Sequence, residues 1–184
     1  MGASIKTNND QLMTEAKIQL RIESLPDKPE INVLEAFGGE GVLWGAVQRR
    51  CPEKKIKILS IDKEKYKRVQ LQGDNIKFLM SFNLSQFDVI DLDAYGMPTK
   101  QLEIVFSKKF KGVVHCTFIQ SITGNMDHVI LKANGYTKAM LQKAQSLFTH
   151  NGIDKFLNYL AINGVKRVKM ASKSRKHYLW FSLK

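Results

Sequence analysis

Between residues 31 and 118 short apolar runs alternate with stretches of helical spacing, and this alternation restricts the possible folds more than any other feature of the chain. The runs over residues 31–37, 56–61, 87–92 and 112–118 are short, and each is bounded by turn-forming or charged residues, so each reads as a buried strand. A brief third strand is expected over 69–71. Between the strands, 42–50, 76–81 and 99–108 carry helical spacing. Parallel neighbours need a crossover, usually a helix, so the alternation predicts a mostly parallel sheet with helices on both faces.

The ends of the chain read differently. Met140, Leu141, Ala144, Leu147 and Phe148 make one helical stripe, and Ile153, Phe156, Leu157, Leu160 and Ala161 a second. Residues 165–171 and 177–183 read as two strands joined by the polar residues 172–176, the spacing of a hairpin. Residues 11–25 mix helical and alternating spacing, with a helix favoured, and Pro26-Asp27-Lys28-Pro29 ends that pattern. The expected organisation is an N-terminal extension over 1–30 and a single domain over 31–184. With 184 residues and 43% hydrophobic content, a sizeable core is available.

Charge narrows the class of partner. Twenty-nine lysines and arginines against 17 acidic residues leave a net +12, and a polyanion is the usual reason for such an excess; solubility is the alternative. Residues 166–177 hold Lys166, Arg167, Lys169, Lys173, Arg175, Lys176 and His177 with no acidic residue. Cys51 and Cys116 make neither a disulfide framework nor a metal-ligand spacing, which suits a reducing interior, and no metal is expected. Residues 1–10 are polar, without an apolar signal region, and no run of 18 apolar residues occurs. The expectation is a cytoplasmic protein with no membrane partner.

Chemistry in parallel sheets gathers beyond the carboxyl ends of the strands, and two such ends are conspicuous here. Residues 35–41, Glu-Ala-Phe-Gly-Gly-Glu-Gly, put an acid and then Gly39 and Gly41 where a strand turns into a helix. Glycines let the backbone turn tightly, and the helix amides behind them suit a carboxylate or phosphate; an ordinary strand-to-helix turn is the alternative. A dinucleotide site would want a third glycine where Trp44 stands, and no Gly-Lys-Ser/Thr follows for a phosphate loop. Asp62 ends the second strand, placed to accept from ribose hydroxyls or to cap a helix. The fourth strand ends in Ile-Asp-Leu-Asp-Ala-Tyr-Gly-Met-Pro over 90–98, which delivers Asp91 and Asp93 to a loop.

That last segment resembles the Asp-Leu-Asp-Pro-(Tyr/Phe)-Gly-(Ser/Thr)-Pro signature of tRNA N2-guanine dimethyltransferases, and more distantly the Asp-Pro-Pro-(Tyr/Phe) signature of amino-methylating DNA and RNA enzymes. Residues 35–41 resemble the first motif of the same class I S-adenosylmethionine-dependent methyltransferases. The resemblance implies a Rossmann-like three-layer α/β/α sandwich, whose mostly parallel seven-stranded sheet ends in an antiparallel hairpin. It implies S-adenosylmethionine as cofactor, held by Glu35, Phe37, Gly39, Gly41, Asp62 and Asp91, with Asp74 either bonding the adenine amino group or capping a helix. At the reactive end, Asp93 and the Ala94 carbonyl would accept hydrogens of a base amine, and Tyr95 would stack on the base. Ala94 replaces the family's proline and Met97 a small polar residue. The partner implied is nucleic acid, RNA ahead of DNA, bound through Lys173, Arg175 and Lys176. Two other readings stay open: a binding protein of this fold that has lost transfer, and a methyltransferase for a protein or small molecule.

Overall fold

A computed structural model describes residues 11–120, 126–144 and 150–184. In chain order its elements are α1 (Gln11–Ser24), β1 (Glu30–Glu35), α2 (Val42–Arg50), β2 (Lys55–Asp62), β3 (Leu71–Gln72), α3 (Asn75–Ser81), a 3₁₀ turn (Leu84–Gln86), β4 (Val89–Leu92), α4 (Thr99–Ser107), β5 (Gly112–Ile119), α5 (His128–Ala133), α6 (Lys138–Ala144), α7 (Gly152–Ile162), β6 (Val168–Lys173) and β7 (Lys176–Leu183). One seven-stranded sheet runs in the order β3-β2-β1-β4-β5-β7-β6. The pairs among the first five strands are parallel, and β7 pairs antiparallel with both β5 and β6. The expected three-layer arrangement is therefore present. Because β1 leads outward to β2 while β4 leads outward to β5 on the other side, the order reverses between β1 and β4, the position where open α/β sheets hold ligands beyond the carboxyl ends of their strands.

Strand alternation sends side chains to two separate cores. Ile31, Val33, Val89 and Val113 face α1 and α2, where they meet Ile18, Trp44 and Val47. Leu34, Ile90, Leu92, Val114 and Phe181 face α3, α4, α5 and α7, meeting Leu79, Leu102, Ile130 and Phe156. Each fully buried aliphatic side chain of this set contributes about 1.5–3 kcal/mol. Helix α1, inside the stretch read as an extension, packs on α2 and over β6 and β7.

Several boundaries moved. β1 ends at Glu35, two residues short of the expected strand, because the backbone turns into the glycine loop at Ala36. The third strand covers only Leu71 and Gln72. The hairpin closes on two residues, since Lys173 pairs with Lys176, and Ser174 takes φ 54° to make so tight a turn. α5 was not anticipated: six residues are too few to show a period, and the Asp127 cap, accepting from Val129 N at 2.9 Å, starts it. α6 matches the front of the first expected stripe; Leu147 and Phe148 lie outside the described residues. No helix among the described residues is long and apolar enough to cross a membrane.

Candidate functional site

The loop leaving β1 is built on its glycines. Gly39 and Gly41 have φ of 49° and 65°, values side chains rarely adopt, and a Cβ on Gly38 would lie 1.8 Å from Ser60 Oγ. The loop therefore folds back onto β2. Gly38 N donates to Ile61 O and Gly41 N to Gly38 O, each at 2.9 Å, and Gly39 N donates to Asp62 Oδ2 at 2.8 Å. Asp62 Oδ1 takes the amide of Glu64, so its carboxylate organises two loops at once. A Cβ on Gly39 would meet nothing within 4 Å, so the outer side of the loop is open space. Asn75 holds the loop from behind: its Nδ2 donates to Ala36 O at 2.8 Å while its Oδ1 accepts from Gln101 Nε2.

Beneath α1 and α2, register aligns a row of polar side chains across the sheet. Ser60, Glu35, Asp91, His115 and Trp180 are successive partners on β2, β1, β4, β5 and β7 and so point to one face. Ser60 Oγ donates to Glu35 Oε2 at 3.0 Å. Burial, reinforced by the nearby charge of Asp91, pushes the Glu35 carboxyl up to about 8, so it is protonated at neutral pH. Burial, with Arg21 adding to it, keeps His115 well below the ordinary histidine value, hence neutral; its Nε2 shares a 2.7 Å hydrogen bond with Ser24 Oγ. Trp44 Nε1 donates to Asp91 Oδ2 at 2.6 Å, which is how the tryptophan that disfavours a dinucleotide site is used.

Helix α1 brings the charges that balance this row. Arg21 Nε and Nη2 reach Asp91 Oδ2 at 2.8 and 2.7 Å, and Nη2 also reaches Asp93 Oδ2 at 3.3 Å. Burial opposes the guanidinium charge, but Asp91 and Asp93 outweigh it and raise the Arg21 pKa. Lys17 Nζ donates to both oxygens of Asp93, at 2.9 and 2.8 Å, and sits 4.0 Å from the centre of the Tyr178 ring. The cavity left beside Asp91 and Asp93, bordered by Arg21, His115, Thr117 and Tyr178, is about 10 Å³, at the threshold for one water. Asp91 Oδ1 is buried with no hydrogen-bond partner among the described residues.

The loop after β4 is pinned although Ala94 stands where the resembled signature has proline. Thr117 Oγ1 donates to Ala94 O at 2.6 Å and Ile119 N to Gly96 O at 3.2 Å, while Gly96 has φ 131°. Tyr95 projects from this loop with 79% of its surface exposed. Ile119 pairs with Lys176, and Gln120 N donates to Arg175 O, so the turn bearing Lys173, Arg175 and Lys176 stands at the carboxyl edge of the sheet beside β5. Lys166 and Arg167 precede β6 at the other edge, so the basic run is split between the two.

The residues singled out from the sequence thus fall into two groups. Gly39 bonds Asp62 and Gly41 closes the same loop onto Gly38 on one side, and Glu35, Asp91 and Asp93 lie together on the other. Asp74 is exposed and caps α3 by accepting from Ile76 N at 2.9 Å. Phe37 is half-buried against the core of the α3–α4 face. Lys17, Arg21, Asn75 and Thr117 were missed. A signal for α1 existed: Met13, Lys17, Leu20, Arg21 and Ser24 recur at helical spacing, which puts two cations on the face that also buries Met13 and Leu20.

No family model matches this sequence, and no curated protein matches it. Solved structures do match, at low identity. A possible exported protein from Bordetella parapertussis superposes with a TM-score of 0.59 at 10% identity, over 94% of this chain and 67% of that one. A precorrin-6y C5,15-methyltransferase from Geobacter metallireducens gives 0.55 at 11% identity, over 100% and 94%. A SAH-bound methyltransferase from Podospora anserina gives 0.52 at 11% identity, over 96% and 80%. The chain shares the Rossmann-like methyltransferase fold with these proteins.

Proposed function

We propose that the protein is an S-adenosylmethionine-dependent methyltransferase acting on an exocyclic amine of a nucleic-acid base, RNA ahead of DNA. The observation that carries this reading is the meeting of the glycine loop with Asp62 where β1 and β2 end, next to the switch point between β1 and β4. The open side of Gly39, where a Cβ would touch nothing, fits a ligand lying close against backbone. Gly39, Gly41 and Phe37 would hold its methionyl part, and Asp62 would accept from its ribose hydroxyls. Asp74, next to Gly73 whose amide donates to Asp62 O at 2.8 Å, would sit toward its base. Glu35 and Asp91 support the loop from below, Glu35 as a neutral acid accepting from Ser60, and Asp91 through its carbonyl, which accepts from Ala36 N. When bound, the cofactor supplies a methyl group activated by its sulfonium.

What supports the acceptor half is the net charge of +12, the exposed Tyr95 beside Asp93 and Ala94, and the basic turn at the same edge. In this reading Asp93 and the Ala94 carbonyl orient the amine and Tyr95 stacks on the base. Replacing Asp62 with alanine should weaken S-adenosylmethionine binding by about tenfold or more in calorimetric titration, since a charge-assisted hydrogen bond is lost. Wild-type protein that takes up no cofactor in that titration overturns the reading. Transfer of labelled methyl to bulk RNA or DNA, followed by digestion to nucleosides, tests the acceptor.

A second reading, a nucleic-acid-binding protein without transfer, is favoured by one observation. Both acceptors assigned to the amine are occupied within the chain, Asp93 by Lys17 and Arg21, and Ala94 O by Thr117. Lys17→Ala frees most of the Asp93 carboxylate and separates the two readings. If the clamp holds transfer back, labelled product should rise about tenfold in this variant; no product from either protein, with both cofactor and RNA bound by each, favours the second reading over the first.

A further inference from the structure

We infer that the β2–β3 loop and the outer surface of α2 form a second phosphate-binding contact, on the flank of the crevice opposite the β6–β7 turn. This deepens the proposed function and rests on its nucleic-acid half. Residues 63–68, Lys-Glu-Lys-Tyr-Lys-Arg, are all exposed, and four of the six are basic. They leave the carboxyl end of β2, beside the glycine loop.

Two guanidinium groups converge there. A Cβ built on Gly45 would lie 2.7 Å from Arg68 Nη1 and 3.7 Å from Arg49 Nη1, so both nitrogens flank one point on α2. Arg68 lies along the helix, its Nη1 donating to Gly41 O at 3.3 Å, and it can do so only because Gly45 has no side chain. Glycine inside a helix is unfavourable relative to alanine, and here its consequence is a seat for a cation. The neighbouring arginine, Arg50, pairs with Glu15, but Arg49 and Arg68 form no ion pair with any described residue, although Glu40 and Glu64 flank the same surface. Like charges so close repel, and a shared phosphate oxygen relieves that repulsion while satisfying their planar donors.

The sheet order fixes where this contact stands. The β2–β3 loop and the β6–β7 turn lie at opposite ends of the carboxyl edge, with the glycine loop and the Tyr95 loop between them. At about 4.8 Å per strand the two clusters are roughly 20–25 Å apart, or about seven nucleotide steps at ~3.4 Å each. A strand held at both ends would cross the crevice mouth.

The test is fluorescence anisotropy of labelled single-stranded RNAs of about 4 and about 12 nucleotides over a salt series. It compares wild type, Arg49→Ala/Arg68→Ala, Lys173→Ala/Arg175→Ala/Lys176→Ala and Gly45→Ala, with circular dichroism confirming each fold. Arg49 and Arg68 are exposed, so their removal leaves the fold intact. The double variant should bind the longer RNA about 5- to 20-fold more weakly, with the slope of log K against log salt shallower by about 1.4. Its effect on the shorter RNA should be smaller, because that strand cannot reach both clusters. Gly45→Ala, which displaces Arg68 without removing charge, should show a partial loss. An unchanged affinity and slope in the double variant, while the turn variant weakens, overturns this inference and spares the nucleic-acid reading. No RNA binding by wild type overturns both, and preference for anionic vesicles over RNA at matched charge does the same.

Discussion

Replacing Arg21 with methionine is expected to lower the unfolding free energy by about 3–5 kcal/mol, a large share of the 5–15 kcal/mol typical of a domain. Arg21 is 3% exposed and Asp91 0% exposed, and the guanidinium supplies two of the hydrogen-bonding nitrogens that reach Asp91, Trp44 Nε1 being the third donor. Without it, a buried carboxylate keeps one indole donor and an unpartnered Oδ1. The cost is that of stranding the charge, not the net worth of the pair. Denaturant titration at neutral pH measures it, and hydrogen exchange over residues 11–24 should show α1 losing protection first. Arg21→Met/Asp91→Leu should recover most of the loss, since an apolar pair of similar volume removes the stranded charge. A loss below about 1 kcal/mol in the single variant would mean that α1 is not held by this pair.

Glu35→Gln should stabilise the protein in a pH-dependent manner. Burial, then Asp91, raises the folded-state carboxyl from 4.5 to about 8, so between those values the folded state binds a proton that the unfolded chain has released. Stability from this group is therefore fully present below about pH 4.5 and falls by about 1.4 kcal/mol per pH unit until about pH 8. Glutamine imitates the protonated acid and keeps an oxygen for the Ser60 hydroxyl. The variant should match wild type near pH 4 and exceed it by about 2–4 kcal/mol near pH 8. Parallel stability curves for the two proteins would show that Glu35 titrates normally. A drop in stability of the variant at every pH would show that the carboxyl makes a contact glutamine cannot replace.

Both expectations concern a network that was only half legible. Glu35, Asp91 and Asp93 could be placed at strand ends because an apolar run stopping at an acid is a local signal, and the parallel register then brings Glu35 beside Asp91. Asp62 and Gly39 could be paired for the same reason, since both follow adjacent strands. Asp74 could be read as a helix cap or as an adenine partner, and its bond from Ile76 N makes it the cap of α3. Ala94 stands where the resembled signature has proline, and Thr117, on the neighbouring strand, holds its carbonyl in place. The tight hairpin turn was drawn too wide because polar residues at a strand edge look like loop.

Local periodicity was thus enough to predict a mostly parallel sheet with helices on both faces, most of its elements and the strand ends where chemistry gathers, because two- and 3.6-residue patterns are written in consecutive residues. Which groups meet those acids was decided only by the docking of α1. Lys17 and Arg21 lie 76 and 70 residues from Asp93 and Asp91, and nothing in either stretch encodes the other. Their meeting follows from the apolar face of a helix seating on one side of a twisted sheet, which sets distances that no sequence spacing contains.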